Sequence, residues 1–568
     1  MSARSDRPEG SPRRSILILG GGVMQLPAIR LAKEKGWRVT VADGNPQAAG
    51  AQEAHRFLPI DLKDREALER AARQVSAEDG LDGVFTAGTD FSVTVAWVAE
   101  RLGLPGVPFE AALRATDKTL MRAAFRAAGV PSPEFVGVSE EEDPLRASAS
   151  LRYPLVVKPV DNMGARGIRR VDRPQELPEA VALARDHSRS RRVILEEFIP
   201  GPEFSLDAIV DRGRITVTGI ADRIIRFAPY FVETGHTIPT SADRPTVERV
   251  CAAFEAGIRA LGIERGAAKG DVKLSPAGPV IGEIAARLSG GYMSGWTYPY
   301  ASGSLVTGAA LNVAVGLPAG DLSPRWEMVS AERAFISIPG KVARVVGVEE
   351  AERTPFVKEL FLRVGPGDPV TFPTNNVEKC GNVISQAPTR EDAVKAAETA
   401  AARIVILLEP TVAETAAFLF GSEKGWAPPA FDLQRKDREL DARAAEVGAR
   451  LDELPLYLLG GGRRGIGVLP LPGIEELGLR DWQGRELREA LATVYELAPV
   501  APSGTPEEGD FRLLLGRLFW QPFLRGTIQG AVWLAQSVAE LFRFAAPEEP
   551  HALEEGLFSL LKAWEVDR

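Results

Sequence analysis

The chain has 568 residues, of which 45% are hydrophobic and 26% charged, and its formal net charge is −9. This composition is typical of a globular protein with about three to four domains, and the acidic balance argues against nucleic-acid binding. Two cysteines and four histidines exclude a disulfide framework and a cysteine- or histidine-rich metal centre. No apolar run approaches the roughly 20 residues of a membrane span, so we expect no membrane partner and a cytoplasmic location. Residues 1–14 are expected to form a disordered leader.

The first ordered segment predicts a parallel βαβ unit. The apolar run Ser15–Gly20 ends in glycines, a helical pattern continues to Gly36, and a second strand, Trp37–Ala42, ends at an acid. An acid about 20 residues after the glycines is similar to a dinucleotide-binding fingerprint. However, Gln25 takes the place of the third glycine, which disfavours a nicotinamide cofactor. We therefore expect these glycines to line a substrate cleft.

A further strand and helix extend this unit. Leu81–Thr86 predicts a strand and Val93–Leu102 a helix, so residues 15–113 are expected to form a small doubly wound α/β domain. Thr89 and Asp90 lie between the two elements, where side chains bind ligands or cap a helix. The sequence leaves both roles open.

The next motif is typical of phosphate binding. The apolar strand Pro154–Pro159 carries Lys158 and precedes the loop 161–168, which contains Gly164, Arg166 and Gly167. Backbone N–H groups of a glycine-rich loop can bind phosphate oxygens while a lysine supplies positive charge.

A cluster of acids follows another strand. Val193–Phe198 is apolar until Glu196 and Glu197, and Glu203 comes after a Pro-Gly-Pro turn. For Glu196 and Glu197, a solvated strand end is the alternative to a binding role.

Two short strands further along predict a hairpin that brings carboxylates together. Asp271–Leu274 and Val280–Ile284 flank a Ser-Pro-Ala-Gly turn, so Asp271 and Glu283 are expected on one face. Two hard oxygen ligands suit magnesium bound to a polyphosphate. The alternative is a surface hairpin with solvated acids.

These motifs, in this order, resemble the ATP-grasp superfamily, and more narrowly its carboxylate–amine ligase branch. The resemblance extends over residues 15 to about 420. It implies an α/β (α+β ATP-grasp) fold: a Rossmann-like pre-ATP-grasp domain, a two-lobed ATP-grasp core over 114–320, and a C-terminal lobe over 321–423. Residues 424–568 are expected to form an accessory, mainly helical domain.

The resemblance also implies the roles of individual residues. It implies ATP as the nucleotide, bound by Lys118, Lys158, Gly164, Arg166, Gly167, Glu196, Glu197, Phe198, Glu203 and Lys273. Within this set, loop 161–168 is the flexible flap, Glu196 and Phe198 lie at the adenine hinge, and Glu203 accepts a ribose hydroxyl. Asp271 and Glu283 would bind Mg²⁺ or Mn²⁺, and the catalytic set would comprise Arg287, His236 and Arg223.

The chain departs from the family pattern at two positions. Ala285 stands two residues after the second acid, where the family usually has a metal-binding asparagine, and alanine cannot bind a metal. Lys269 stands two residues before Asp271, where relatives often carry histidine. These departures leave the second metal position in doubt.

The predicted function is ATP-dependent joining of a small-molecule carboxylate to an amine through an acyl phosphate, with release of ADP and phosphate. Two alternatives remain: a catalytically weak ATP-binding module with a C-terminal interaction domain, and a carboxylase that uses carboxyphosphate. No nucleic-acid partner is expected, and a homo-oligomer is possible.

The C-terminal region offers less chemistry. Thr389–Leu408 predicts a helix, and Gly460–Gly465 is either a plain turn or an anion-binding loop. Aromatic residues near the end indicate core or an oligomer interface: Phe519, Trp520, Phe523, Trp533, Phe542 and Phe544.

Overall fold

The computed structural model describes residues 14–421, 426–433, 438–460, 465–502, 513–544 and 550–564. The chain forms two compact units. The first contains the described residues up to Glu332 together with 384–394, and the second contains 333–383 and the described residues from Lys395 onward. Among the described helices, none combines the length and the apolar character needed to cross a membrane.

The first unit begins with the predicted parallel sheet. Its strands lie in the order β3-β2-β1-β4, and β1 is completely buried because helices cover both faces of a parallel sheet. The elements are β1 (Ser15–Leu19), α1 (Leu26–Glu34), β2 (Arg38–Ala42), α2 (Ala49–Glu53), β3 (Arg56–Leu58), α3 (Arg65–Asp79), β4 (Gly83–Phe85), α4 (Ser92–Arg101) and α5 (Phe109–Arg114).

A four-stranded antiparallel sheet follows, in the order β5-β8-β6-β7. Its elements are α6 (Lys118–Ala128), β5 (Phe135–Val138), α7 (Pro144–Ala147), β6 (Leu155–Pro159), β7 (Arg169–Val171), α8 (Leu177–His187) and β8 (Val193–Glu197). Helix α6 begins where the Asp117 side chain accepts hydrogen bonds from the first-turn N–H groups, and it ends at Gly129 in a left-handed conformation.

The remaining part of the first unit is built on long antiparallel strands. Neighbouring strands pair in the order β13-β12-β9-β10-β11. The elements are β9 (Glu203–Asp211), β10 (Arg214–Arg226), β11 (Val232–Ile238), α9 (Arg244–Leu261), β12 (Gly266–Ser275), β13 (Gly278–Ala285), α10 (Tyr298–Ser302), α11 (Val306–Ala314) and β14 (Val329–Phe335). A π-helical turn, Met293–Thr297, precedes α10.

The boundary between the units falls within β14, β18 and α13. The elements that follow β14 are β15 (Gly340–Val346), α12 (Val348–Glu352), β16 (Val357–Leu362), β17 (Pro369–Val370), β18 (Gly381–Ala387), α13 (Arg390–Arg403), β19 (Val405–Leu408), α14 (Ala413–Phe420), α15 (Arg438–Glu453), β20 (Tyr457–Leu459), β21 (Ile466–Val468), α16 (Leu487–Leu497), β22 (Ala501–Pro502), β23 (Leu513–Leu515), α17 (Arg517–Phe544) and α18 (Pro550–Ala563).

The predicted helix Thr389–Leu408 is too long. Helix α13 ends at Arg403, and Val405–Leu408 forms strand β19, antiparallel to β15. All four residues of β19 are buried, so they form a short continuous apolar run. Such a run matches a buried strand as well as a helix end, because periodicity cannot separate the two.

The C-terminal region is helical but also contains a small sheet, in the order β20-β23-β21-β22. Four predicted aromatic residues, Phe519, Trp520, Phe523 and Trp533, are at most 2% exposed and belong to the core of the second unit. The side chains of Phe542 and Phe544, residues 461–464 of the glycine-rich loop and residues 1–13 lie outside the described residues.

Candidate active site

The predicted acid pair lies on the hairpin formed by β12 and β13. Asp271 and Glu283 are direct cross-strand partners, which confirms that the hairpin brings the two carboxylates together. Asp271 is only 7% exposed, so the alternative of a solvated surface hairpin is wrong for this residue.

Both carboxylate oxygens of Asp271 have partners. Oδ1 accepts a hydrogen bond of 2.7 Å from the Ser205 hydroxyl, and Oδ2 contacts the Lys269 ammonium and lies 3.1 Å from Nη1 of Arg223. Burial alone would raise the pKa of Asp271, but the charges of Arg223 and Lys269 outweigh burial and lower it to about 2. The carboxylate is therefore ionised at neutral pH.

Glu283 has a different environment. Among the described residues, no side chain or backbone group donates a hydrogen bond to its carboxylate. Burial would raise the pKa of Glu283, but nearby Lys118 and Lys269 hold it below its usual range. An ionised carboxylate without a hydrogen-bond donor suits a magnesium ion whose other ligands are phosphate oxygens and water. The described residues contain no group of three or more acids, histidines or cysteines arranged to hold a metal by themselves.

Arg223 joins three acids. Its Nε donates to Glu233 at 2.7 Å, and its Nη1 contacts Glu203 and Asp271. Burial would lower the pKa of Arg223, but Asp271, Glu203 and Glu233 raise it well above its usual value. Glu203 also lies 3.1 Å from Nζ of Lys273, so the predicted ribose acceptor is already shared by two cations.

The predicted adenine hinge contains a buried ion triplet. Glu196 is 1% exposed, and its carboxylate lies 2.8 Å from Nε of Arg122 and 2.7 Å from Nζ of Lys158. Burial would raise the pKa of Glu196, but Arg122 and Lys158 lower it to about 2. The alternative of a solvated strand end is therefore wrong for Glu196, whose carboxylate orients Lys158.

The neighbouring hinge residues are more accessible. Glu197 pairs with Arg152 at 2.8 Å, and the Arg152 side chain is 85% exposed. The Phe198 ring lies beneath two cations, with the guanidinium carbon of Arg170 at 4.5 Å and Nζ of Lys273 at 5.5 Å from its centre. A planar, cation-lined apolar face of this kind suits a purine ring.

The loop 161–168 makes contacts at both its base and its tip. The Lys118 ammonium donates to the Asn162 carbonyl at 2.7 Å, and Nη2 of Arg166 donates to Asp90 at 2.5 Å. Gly167 has a φ of +69°, and a Cβ there would lie 2.7 Å from the His187 Cβ, so this position requires glycine. Asp90 therefore binds the loop instead of capping α4, whose N-cap residue is Phe91.

Arg287 follows the hairpin and contacts the same turn as the flap. Its Nε donates to the Thr89 carbonyl at 3.1 Å and its Nη1 to the Leu288 carbonyl at 2.9 Å. A carboxylate or phosphate oxygen would bind the guanidinium more strongly than these neutral carbonyls do.

His236 is a buried imidazole between two carboxylates. Its Nε2 lies 3.4 Å from Glu233 and its Nδ1 lies 3.1 Å from Glu332. Burial would lower the pKa of His236, but Glu233 and Glu332 raise it to about 9. The ring is therefore an imidazolium at neutral pH.

Sequence reasoning did not identify three charged residues near these groups. Arg122 lies on the buried face of α6, Glu332 is buried on β14, and the buried Asp207 accepts hydrogen bonds from Ser289 and Ser294. Burial is the main reason that the pKa of Asp207 is raised. Arg122 interrupts the apolar stripe of α6, and that interruption is a signal in the sequence. Asp207 and Glu332 share a strand face with the polar residues Ser205 and Ser330, so alternation does not reveal their burial.

Three family models match the chain in order. An ATP-grasp N-terminal domain matches residues 29–106, an ATP-grasp domain matches 151–295, and an L-amino acid ligase C-terminal domain 2 matches 334–409.

Two curated proteins are similar in sequence to this chain. An uncharacterized protein y4rH of Sinorhizobium fredii is 26% identical over 60% of this chain and 72% of its own length. Carnosine synthase 1 of Gallus gallus is 29% identical over 54% of this chain. The match spans only 35% of the carnosine synthase.

Solved structures share the fold. The L-amino acid ligase from Bacillus licheniformis has a TM-score of 0.62 at 24% identity, with 70% of this chain and all of that chain covered. The three family models and this fold agree with the resemblance seen in the sequence. The chain therefore contains ATP-grasp N-terminal and ATP-grasp domains, followed by a domain that matches the L-amino acid ligase C-terminal domain 2, and this domain order identifies it as a member of the ATP-grasp superfamily.

Proposed function

We propose that the protein uses ATP to join a carboxylate to an amine, through an acyl phosphate, and releases ADP and phosphate. The observation that carries this proposal is the ionised Glu283 carboxylate, which accepts no hydrogen bond from the described residues and lies among lysine charges opposite Asp271. This arrangement suits a divalent ion and the phosphates of a nucleotide.

In the first step, an oxygen of the substrate carboxylate attacks the γ-phosphorus of ATP. The bond between that phosphorus and the bridging oxygen breaks, and ADP leaves with the electron pair. In this proposal, Lys118 and Lys158 bind phosphate oxygens, and Arg287 orients the carboxylate with its planar fork. When bound, Mg²⁺ would neutralise charge on the transferring phosphoryl group.

In the second step, the amine nitrogen attacks the acyl carbon, the carbon–oxygen bond breaks, and phosphate leaves with that electron pair and takes up the proton that the nitrogen loses. The flap, residues 161–168, would keep water from the acyl phosphate. His236 is already protonated at neutral pH, so it would donate a hydrogen bond to an anionic oxygen instead of removing a proton from the amine. This narrows its predicted role to positioning and charge stabilisation.

Amino acids are the substrates that we favour. One relative is named a carnosine synthase and one solved structure an L-amino acid ligase, and residues 334–409 match a domain named for the latter enzyme.

A screen tests the proposal. Purified protein is incubated with ATP, Mg²⁺ and pools of amino acids, and ADP release and condensed products are followed by mass spectrometry. We expect ADP release that needs both a carboxylate and an amine. ADP formation that needs bicarbonate but no amine would favour the carboxylase alternative, and tight ATP binding without ADP release would favour the binding module.

A further inference from the structure

The hairpin contains an ammonium group where the acid pair faces the site. Lys269 lies two residues before Asp271 on β12, and its Nζ contacts Oδ2 of Asp271. The residue directly opposite Lys269 on β13 is Ala285. A methyl side chain offers no ligand atom, so an ion near Asp271 would gain nothing from this position on the neighbouring strand.

Both carboxylate oxygens of Asp271 already have partners, and its Oδ2 is shared by two cations. Ser205 donates to Oδ1, while Lys269 and Arg223 both contact Oδ2. A divalent ion bound at Oδ2 would have to displace two cations from a buried carboxylate. Glu283, by contrast, accepts no hydrogen bond from the described residues.

Lys269 lies beside both acids of the pair. Its ammonium contacts Oδ2 of Asp271, and Glu283 is the direct cross-strand partner of Asp271. An ion that bridged the two carboxylates would contact the same two groups.

We propose that the Lys269 ammonium takes the place of a second divalent ion, so that the nucleotide complex of this protein contains a single divalent ion, held by Glu283. This inference rests on the proposed ATP-dependent function and specifies how many divalent ions bind with the nucleotide. Lys269 holds Asp271 in place and presents a fixed positive charge to the nucleotide phosphates.

Counting bound Mn²⁺ tests this without any measurement of turnover. The full chain is titrated with Mn²⁺ in the presence of saturating ADP, and free Mn²⁺ is measured by electron paramagnetic resonance. We expect one Mn²⁺ per ADP-bound chain for the natural protein and two for the double variant Lys269→His, Ala285→Asn. Two ions in the natural protein, or one in the double variant, would overturn the proposal.

A single substitution keeps the test decisive if the double variant does not fold. Lys269→Met should weaken ADP binding about tenfold at low Mn²⁺, as expected for a lost charge-assisted contact, and raising Mn²⁺ should restore it. Unchanged ADP affinity at every Mn²⁺ concentration would contradict the proposal.

Lys341→Met is the control, because Lys341 lies on β15, outside the assigned site residues, and pairs with Glu409. It should leave the ion count at one, and a count of two would show that loss of any lysine admits an ion. Absence of ADP binding by the natural protein would overturn the proposed function together with this inference, whereas ADP binding with two ions would overturn the inference alone.

Discussion

Glu196 illustrates how strongly a single buried charge can affect this site. Its carboxylate is held between Arg122, whose side chain is fully buried, and Lys158, whose side chain is 16% exposed. Removal of one partner from a buried ion group is costly because the remaining charges stay uncompensated. We expect Glu196→Gln to lower the free energy of unfolding by roughly 3–5 kcal/mol, as measured by urea denaturation.

The adjacent residue provides the control. Glu197 pairs with the exposed Arg152, so Glu197→Gln should lower the free energy of unfolding by less than about 1 kcal/mol. Equal losses for the two substitutions would contradict the assignment of Glu196 as the centre of a buried ion triplet.

His236 should make stability depend on pH. Its pKa is raised to about 9 in the folded protein, above its usual 6.5, so protonation favours the folded state. The stabilisation is complete below pH 6.5 and is lost as the pH rises through 9. Because Glu332 is one cause of the shift, Glu332→Gln should move this loss to lower pH, as measured by unfolding at a series of pH values.

His55 is an internal reference for the same experiment. Burial is the main reason that its pKa is lowered, and its Nδ1 accepts a hydrogen bond from the Val39 N–H. NMR titration should therefore show His55 changing charge below pH 6.5 and His236 near pH 9. An imidazole signal of His236 that titrates below pH 6.5 would contradict the two-carboxylate environment.

Among the structural elements, the flap depends on its contact with Asp90. Arg166 binds Asp90, and Arg189 lies 3.6 Å from the same oxygen. We expect Asp90→Asn to increase amide hydrogen exchange in residues 161–168 about fivefold, which is the effect of a partly exposed ion pair.

Glu53→Gln is the control, because it removes a surface ion pair with Arg30 that does not touch the flap, and it should leave this exchange unchanged. Equal exchange in the Asp90 variant and the natural protein would show that the contact does not hold the flap.

The sequence predicts strands better than it predicts contacts between them. Apolar runs and a turn that contains proline and glycine are local signals, and they predict β1, β6, β8 and the β12–β13 hairpin. The sequence does not predict β19, because four apolar residues after a helix match either a strand or a continuation of the helix. The link between Arg122 and Glu196 joins a helix to a distant strand, and no local pattern specifies it.

At the scale of the whole molecule, the sequence predicts the order of the ATP-grasp elements but not how the C-terminal region is grouped. The structure places residues 333–383 in one compact unit with the described residues from Lys395 onward. That grouping depends on burial of side chains far apart in the chain, such as Phe335 and Trp533 in one core. The predicted boundary at residue 424 and the roles of the site residues stay predictions.

The central claim is that a carboxylate is activated by phosphoryl transfer before an amine attacks it. The most direct test uses a substrate carboxylate labelled with oxygen-18, with the released phosphate analysed by mass spectrometry. An acyl-phosphate route transfers one labelled oxygen to phosphate, alongside ADP, and this is the result that we predict. Unlabelled phosphate, or release of AMP and pyrophosphate, would contradict the claim.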